Sequence, residues 1–555
     1  MKLSRRPSAD EHPASDTRLL RGYAPLIGWV TAFLVMVLLA PTIAPQQVVS
    51  ATGGGRSTAG GVAAGPASTV PSGAAGATAQ GAGGGGATDQ GAAPVAAGTT
   101  DCSGPQISGD PYSPPCRAWA GGDNGGATAP GVTGDTITIG WRDTGGPYDI
   151  GAVVTQLTGE RLTSGTATRD DVIRTYETLI TYMNTHFQFY GRKMKLQVFQ
   201  GSGSSTDELL GGGQSGANAD AIQEAQQIGA FADAGAEAPV FAEALAKQGV
   251  ITSSPVYPSL DFYAGNAPYA WGVTPDCSKL VTLLGDFLIK QVASQPVLVG
   301  QYTGQPRKLG LVYPESPAYA QCGDALKSQL SDAGHPFADV RQYRLSLDGI
   351  PPDSRDIASA FANEGITSVV LASDPLLPYF MTATATQSKW HPEWIETGIA
   401  YMDDDFAGQL YDPDQWKHAF GISMNGPTVP ARSTYGYAAY RSVDPTTSPV
   451  ELTVESIYYQ LYLLALGIQM AGPNLTAASF QQGMRAYTPA QPLGPVGSWG
   501  FPDGQFTAPL DGRIIWWDPN ATSNYNGKTG AYVDNGQRYP FGGIPAGAPQ
   551  VSLTP

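Results

Sequence analysis

The sequence predicts an α/β protein with two lobes, each built on parallel strands and covered by helices. Between residues 134 and 535, short apolar runs alternate with amphipathic stretches. Continuous apolar strands that alternate with helices are typical of parallel sheets buried on both faces. The alternation starts again after residue 270, which indicates a second lobe.

The first run of elements begins with a strand at 136–141, which a glycine-rich turn follows. Residues 169–186 then place Val172, Tyr176 and Leu179 on one face of a helix. The other elements predicted for this run are a strand at 194–199, helices at 218–231 and 238–248, and a strand at 250–252.

The second run repeats the pattern, and a later apolar stretch at 454–472 adds a long helix. That stretch contains Glu455, Gln460 and Gln469, which favour a buried helix over a second membrane span. The elements predicted for the second run are helices at 277–293, 318–333 and 354–364 and strands at 308–313 and 368–372.

Composition excludes several classes of function. The chain has 555 residues, a formal net charge of −16 and only 14% charged residues. Its length allows two to four domains. A non-specific nucleic-acid binder needs a basic footprint, so nucleic acid is not an expected partner. The five histidines are scattered and lack the spacing of a zinc site, so we expect no metal.

The N-terminal region predicts a membrane anchor. Residues 1–22 are polar and basic, and no charge interrupts residues 23–45. The apolar run is long enough for the ~20 residues of a membrane helix and longer than a usual signal-peptide core. The basic flank predicts a cytoplasmic N-terminus. We expect a single-pass cell-membrane protein with its C-terminal domain outside; a signal peptide cleaved near 49–51, giving a secreted protein, is the alternative.

Low-complexity segments flank the folded region. Residues 50–100 are almost entirely Gly, Ala, Ser, Thr, Pro and Val, a composition that cannot bury a core and forms flexible linkers. We therefore assign 46–133 to a linker that includes a cysteine-containing loop. Residues 536–555 are predicted to form a Gly/Pro-rich tail.

The four cysteines lie in the part of the chain expected outside the membrane. Cys102 and Cys116 bracket a proline-rich loop, and Cys277 and Cys322 lie in the second run. An even number of cysteines in an oxidising compartment indicates disulfides. We expect the bonds 102–116 and 277–322, although four cysteines allow three pairings.

The sequence contains no convincing motif for catalysis or cofactor binding. Residues 211–216 match G-x-G-x-x-G, but polar residues separate them from the strand at 194–199, whereas the dinucleotide fingerprint opens directly from a strand. The acids at 403–405 lack the ligand spacing of a calcium loop. A nucleophile elbow and a phosphate-binding loop are absent from the sequence. We expect no cofactor and no enzymatic activity.

The order of several stretches resembles a known family. These are ITIGWRDTGGPYDIGA, GRKMKLQV, YAWGVTPDCSKL, KLGLVYPESPAYAQCGDAL and GPVGSWGFPDGQFTAPLDGRIIWWDPN. In order and spacing they resemble the type I periplasmic binding proteins, in particular the branched-chain amino-acid and amide substrate-binding proteins of ABC importers. The segment FADAGAEAP departs from that pattern, because amino-acid binders carry a run of Ser and Thr there.

The resemblance implies two doubly wound, Rossmann-like lobes joined by three hinge crossovers near 272–276, 421–427 and 508–514. Lobe one would comprise 134–273 and 428–508, and lobe two 274–427 and 509–535. Ligand would bind between them, at the carboxyl ends of the strands, as in other open α/β sheets.

The resemblance also implies which residues line the cleft in lobe one. Trp141, Arg142 and Asp143 end the first strand. Ser254 and Tyr257 follow the fourth strand, where the family often places donors for a ligand carboxylate. Packing for Trp141 and a mutual ion pair between Arg142 and Asp143 are the alternatives.

Three residues of lobe two complete the expected site. Tyr319 matches the family's aromatic residue before the second-lobe helix, and packing is its alternative role. Asp374 ends a strand and precedes Pro375, so it could equally cap a helix. Asp403 lies where the family often has an acid that pairs with a ligand ammonium, and the adjacent Asp404 is an equal candidate.

The sequence therefore predicts a membrane-tethered extracytoplasmic solute-binding protein. It would capture a small polar ligand, of the amino-acid or amide type, and deliver it to an ABC permease. The alternative is a ligand-sensing ectodomain or interaction module that acts through a membrane partner.

Overall fold

Two sheets form the framework of the computed structural model, which describes residues 102–146, 148, 167–346, 348–491 and 497–553. The expected cytoplasmic tail, membrane anchor and most of the linker lie outside the described residues. Lobe one is used below for the part of the chain around the first sheet, and lobe two for the part around the second.

The lobe-one sheet has four parallel strands in the order β2-β1-β3-β4. Ile137 and Ile139 on β1 are fully buried, and Ile139 lies opposite Leu196 on one side and Ala232 on the other. The strands are β1 (Thr136–Asp143), β2 (Lys193–Gln200), β3 (Ala232–Asp233) and β4 (Ile251–Thr252).

The lobe-two sheet has the order β11-β10-β9-β8-β7-β5-β6, with β12 paired to β10. Strands β5 to β9 are parallel, whereas β10 runs antiparallel to β9, β11 and β12. The strands are β5 (Leu309–Pro314), β6 (Asp339–Tyr343), β7 (Ser368–Leu371), β8 (Glu393–Glu396), β9 (Ala419–Ser423), β10 (Asp511–Thr522), β11 (Thr529–Asp534) and β12 (Tyr539–Pro540).

Helices cover both sheets, and their caps are those the sequence provides. The first helix begins with a capping box in which the side chains of Thr168 and Asp171 bond each other's backbone amides. The helices between β1 and residue 265 are α1 (Arg169–His186), α2 (Ser205–Leu209), α3 (Gln214–Gln223), α4 (Pro239–Lys247) and α5 (Leu260–Gly265). Those that follow are α6 (Cys277–Phe287), α7 (Pro317–Asp332), α8 (Ile350–Glu364), α9 (Leu376–Gln387), α10 (Asp405–Gly408), α11 (Pro413–Trp416), α12 (Tyr435–Val443), α13 (Val454–Ala471) and α14 (Ala477–Ala486).

Helix α13 is the centre of the lobe-one core, as its apolar sequence predicts. Its side chains, Glu455 and Ala471 apart, are buried, and it packs against α1, α12 and α14. Gln469 is held by hydrogen bonds within the protein. Among the described residues, no helix combines the length and apolar character that a membrane span requires.

The N-terminal cysteine loop belongs to the folded lobe. The bond between Cys102 and Cys116 is present, as is that between Cys277 and Cys322, so the expected pairing is confirmed. Tyr112, inside the first loop, is 1% exposed. The described part of the segment assigned to the linker therefore packs on lobe one.

The chain passes between the lobes at three places, called the first, second and third passage, near 272–276, 421–427 and 508–514. Buried cations hold the second and third passages by donating hydrogen bonds to backbone carbonyls. Gly272 pairs with residues 506–508, and its carbonyl accepts a hydrogen bond of 2.9 Å from Ala508 N. Lys279 is 5% exposed and donates to the carbonyls of Thr507 and Pro509 at 2.6 and 2.7 Å. The first and third passages are thereby tied together.

The second passage is held in the same way. Arg513 donates to Asn425 O at 2.9 Å, and Arg538 donates to Met424 O at 2.8 Å. Both guanidiniums also pair with carboxylates, Arg513 with Asp534 and Arg538 with Asp511. Arg538 precedes β12, so the C-terminal segment contributes to the bracing.

We predict that Gly421→Ala destabilises the protein. A Cβ at Gly421, in the middle of β9, would lie 1.9 Å from the backbone oxygen of Glu396 on β8, so the two strands would have to separate. We expect the free energy of unfolding to fall by roughly 1–3 kcal/mol or more, measured by urea denaturation. The control is Gly265→Ala, where a Cβ meets nothing within 4 Å. Equal stability of the two variants would contradict this packing.

Candidate functional site

A cavity of about 190 Å³ opens at the carboxyl edge of the lobe-one sheet. The ends of β1 and β3, the start of α2 and the start of α13 form its walls. This is the edge where open α/β sheets bind ligands. The cavity is called the lobe-one cavity below.

Two aromatic rings form one wall of the lobe-one cavity. Trp141 is 9% exposed, and its ring centroid lies 5.7 Å from that of Tyr176. The Tyr176 hydroxyl donates to Ala234 O at 3.1 Å, which fixes its ring. A Cβ at Gly235 would lie 2.8 Å from Trp141, so the glycine makes room for the indole.

Arg142 lines the cavity, but its charge is engaged inside lobe one. Its guanidinium lies 2.5 Å from Glu208 and 3.0 Å from Asp220. It also stacks on Phe241, with 3.4 Å from Cζ to the ring centroid. The alternative role, a mutual ion pair between Arg142 and Asp143, does not occur, because Asp143 has other partners.

Asp143 is held as an anion at the mouth of the cavity. It accepts a hydrogen bond of 2.5 Å from the Tyr148 hydroxyl and pairs with Arg169. Burial raises the pKa of Asp143, but the hydrogen bonds from Tyr148 and Arg169 outweigh burial and leave the pKa below its usual value. Burial and the same contact raise the pKa of Tyr148 to about 12.

Glu237 is a second acidic group that lines the cavity. Its carboxylate accepts a hydrogen bond of 3.0 Å from Gln460 Nε2 on α13, and Thr453 and Ser456 at the start of that helix also line the cavity. Burial, with a smaller contribution from Asp233, raises the pKa of Glu237 well above its usual value, against the opposing hydrogen bond from Gln460.

A second, smaller cavity lies at the carboxyl edge of the lobe-two sheet. It has a volume of about 70 Å³ and a mainly apolar lining that includes Tyr257, Tyr319 and the disulfide Cys277–Cys322. Asp374 also lines it, but the Asp374 carboxylate accepts hydrogen bonds from the Tyr343 hydroxyl at 2.5 Å and from Leu376 N at 2.8 Å. Asp374 therefore caps α9.

The two lobes meet between these cavities. The Tyr319 hydroxyl of lobe two donates to Leu209 O of lobe one at 3.3 Å, and Leu209 lines the lobe-one cavity. The Tyr257 hydroxyl of lobe one accepts a hydrogen bond of 3.1 Å from Ala400 N of lobe two. The structure is thus a form in which the lobes touch.

Two expected site residues line neither cavity. Ser254 is buried, with its Oγ 3.3 Å from Ser253 Oγ. Asp403 is buried and accepts hydrogen bonds from Ser423 Oγ at 2.6 Å and Asn425 Nδ2 at 2.7 Å. Burial raises the pKa of Asp403 to about 6. These contacts place Asp403 in the polar network of the second passage.

The structure thus divides the expected site residues into separate groups. The sequence did not identify Tyr176, Glu237, Tyr148 or the polar side chains at the start of α13 as site residues. Two of them left a signal: Tyr176 lies on the predicted apolar face of its helix, and Glu237 lies in the segment that departs from the family pattern.

Comparison with known proteins supports the fold. No family model and no curated protein matches the chain. Among solved structures, an ABC transporter substrate-binding protein from Aeropyrum pernix is 14% identical with a TM-score of 0.51, over 73% of this chain and 96% of that one.

Two solute-binding proteins of ABC transporters from Rhodopseudomonas palustris are also similar. The protein from strain BisB5, in complex with 3,4-dihydroxybenzoic acid, is 12% identical with a TM-score of 0.51. That from strain HaA2, in complex with p-hydroxybenzoic acid, is 11% identical with a TM-score of 0.50. Each match covers 73% of this chain and 98% of the other. The chain therefore has the fold of the substrate-binding proteins of ABC transporters, which confirms the resemblance to type I periplasmic binding proteins.

Proposed function

We propose that this protein is an extracytoplasmic solute-binding protein that captures a small polar ligand, of the amino-acid or amide type, between its two lobes. The observation that carries the proposal is the lobe-one cavity: it lies at the carboxyl edge of a parallel sheet, and lobe two contacts its wall at Leu209. A concave site with aromatic walls and a few placed polar groups is the usual design of a small-molecule site.

Capture and release follow from the contacts between the lobes. The hydrogen bonds of Tyr319 with Leu209 O and of Tyr257 with Ala400 N cross the cleft. A hinge rotation at the braced passages breaks both bonds and exposes the cavity. A ligand that contacts both lobes favours the closed form by its differential affinity.

Delivery to an ABC-type importer and tethering through residues 23–45 complete the proposal. The fold shared with ABC transporter substrate-binding proteins supports the importer, and the basic-flanked apolar run supports the tether. The proposed role is binding and delivery rather than catalysis.

We predict that a screen of small solutes by thermal shift identifies compounds that stabilise the protein. A solute at 100 times its Kd stabilises the native state by about 2.7 kcal/mol. Because Trp141 forms the wall of the lobe-one cavity, Trp141→Ala should abolish or strongly reduce the shift. The control is Trp119→Ala, since Trp119 packs on Tyr190 instead. An unchanged shift in Trp141→Ala would exclude this cavity as the site.

Removing the hydroxyl of Tyr319 should weaken solute binding by favouring the open form. Tyr319→Phe deletes one hydrogen bond between the lobes, a loss of roughly 0.5–1.5 kcal/mol. Tyr313→Phe deletes a bond within lobe two, to Asp324, and serves as the matched control. Calorimetric titration with a solute found in the screen measures the affinity of both variants for that solute. The same affinity in both variants would argue against closure as part of binding.

A further inference from the structure

Acidic side chains outnumber basic ones around the lobe-one cavity. Among the described residues, the cations there are Arg142, which lines the cavity, and Arg169, which pairs with the lining residue Asp143. Both guanidiniums form ion pairs within the protein. The acids around the cavity and directly behind its wall are Asp143, Glu208, Asp220, Glu224, Asp233 and Glu237.

Three of these acids pair with a cation. Arg142 pairs with Glu208 and Asp220, and Arg169 pairs with Asp143. Glu224 and Asp233 are both fully buried, and burial raises the pKa of each. Asp233 accepts a hydrogen bond of 2.7 Å from Gly235 N, whereas neither carboxylate oxygen of Glu224 has a hydrogen-bond partner among the described residues.

Glu237 differs because it lines the cavity and, among the described residues, no cation pairs with it. Within the part of the chain that the structure describes, its carboxylate receives one side-chain hydrogen bond, from the neutral amide of Gln460. The two aromatic rings that share the cavity with it, Trp141 and Tyr176, present the surface on which organic cations bind.

We propose that the solute captured in the lobe-one cavity is a small organic cation, an amine or guanidine with an apolar body. Its charged nitrogen pairs with Glu237, because an adjacent positive charge favours the ionised form of a carboxyl group. Its body lies against Trp141 and Tyr176. The inference rests on the proposed function, since it names the ligand class of the same cavity. A carboxylate ligand would lie beside the acidic residues Glu237 and Asp143. The guanidiniums of Arg142 and Arg169 already pair with carboxylates of the protein.

A panel of small compounds that match in shape and differ in charge tests the proposal. Each compound is added to the full-length protein in detergent. Phenethylamine is compared with 2-phenylethanol and 3-phenylpropanoate, butylamine with 1-butanol and butanoate, and phenylalaninamide with phenylalanine. We expect amines to raise the melting temperature and to bind in calorimetric titrations, and the matched alcohols and acids to bind at least about tenfold more weakly.

Glu237→Gln keeps the size of the side chain and removes the carboxyl group that ionises beside a cation. We expect it to lose affinity for the bound amine by roughly tenfold or more, with a melting temperature close to that of the wild type. Glu243→Gln is the matched control, because Glu243 is exposed and pairs with Lys247. The wild-type panel decides the proposal should the Glu237→Gln variant fail to fold.

The outcomes separate this inference from the proposed function. Binding of an acid or alcohol in preference to its matched amine overturns the cation and leaves solute capture standing. Amine binding that Glu237→Gln and Glu243→Gln reduce equally also overturns the role of Glu237. Absence of binding across all three charge classes counts against the cation and the proposed function together.

Discussion

The buried guanidinium of Arg142 holds the wall of the lobe-one cavity in place. It joins the end of β1 to α2 through Glu208 and to α3 through Asp220, and it stacks on Phe241 of α4. A buried charge is stable only when its partners satisfy it, so four elements are fixed around one side chain. Two carboxylates surround this one guanidinium, so the region is rich in acid. Within the described residues, Glu237 lines the cavity without a cation partner.

A similar device operates where the chain passes between the lobes. Lys279, Arg513 and Arg538 donate to backbone carbonyls of the passages instead of facing solvent. Backbone carbonyls in irregular segments need donors once they are buried, and long basic side chains supply several at once. The passages are thereby held by hydrogen bonds within the protein, and they are where the proposed hinge rotation takes place.

The sequence predicted much of the architecture and only part of the site. Apolar runs and amphipathic periods located β1, α1 and α13 closely, because burial on one or both faces leaves a direct trace in the sequence. Strands such as β8, which carries two buried glutamates, leave no such trace. Asp403 and Ser254 could not be placed, since their contacts come from the folded arrangement rather than from a local pattern. Glu237 was visible only as a departure from a family pattern.

A crystal structure of the protein with a bound solute would show whether the lobe-one cavity is the ligand site. We expect electron density for the solute between Trp141 and Glu237, with lobe two closed over it through Tyr319. Density for the solute on another surface, with the lobe-one cavity filled only by water, would place the ligand site elsewhere.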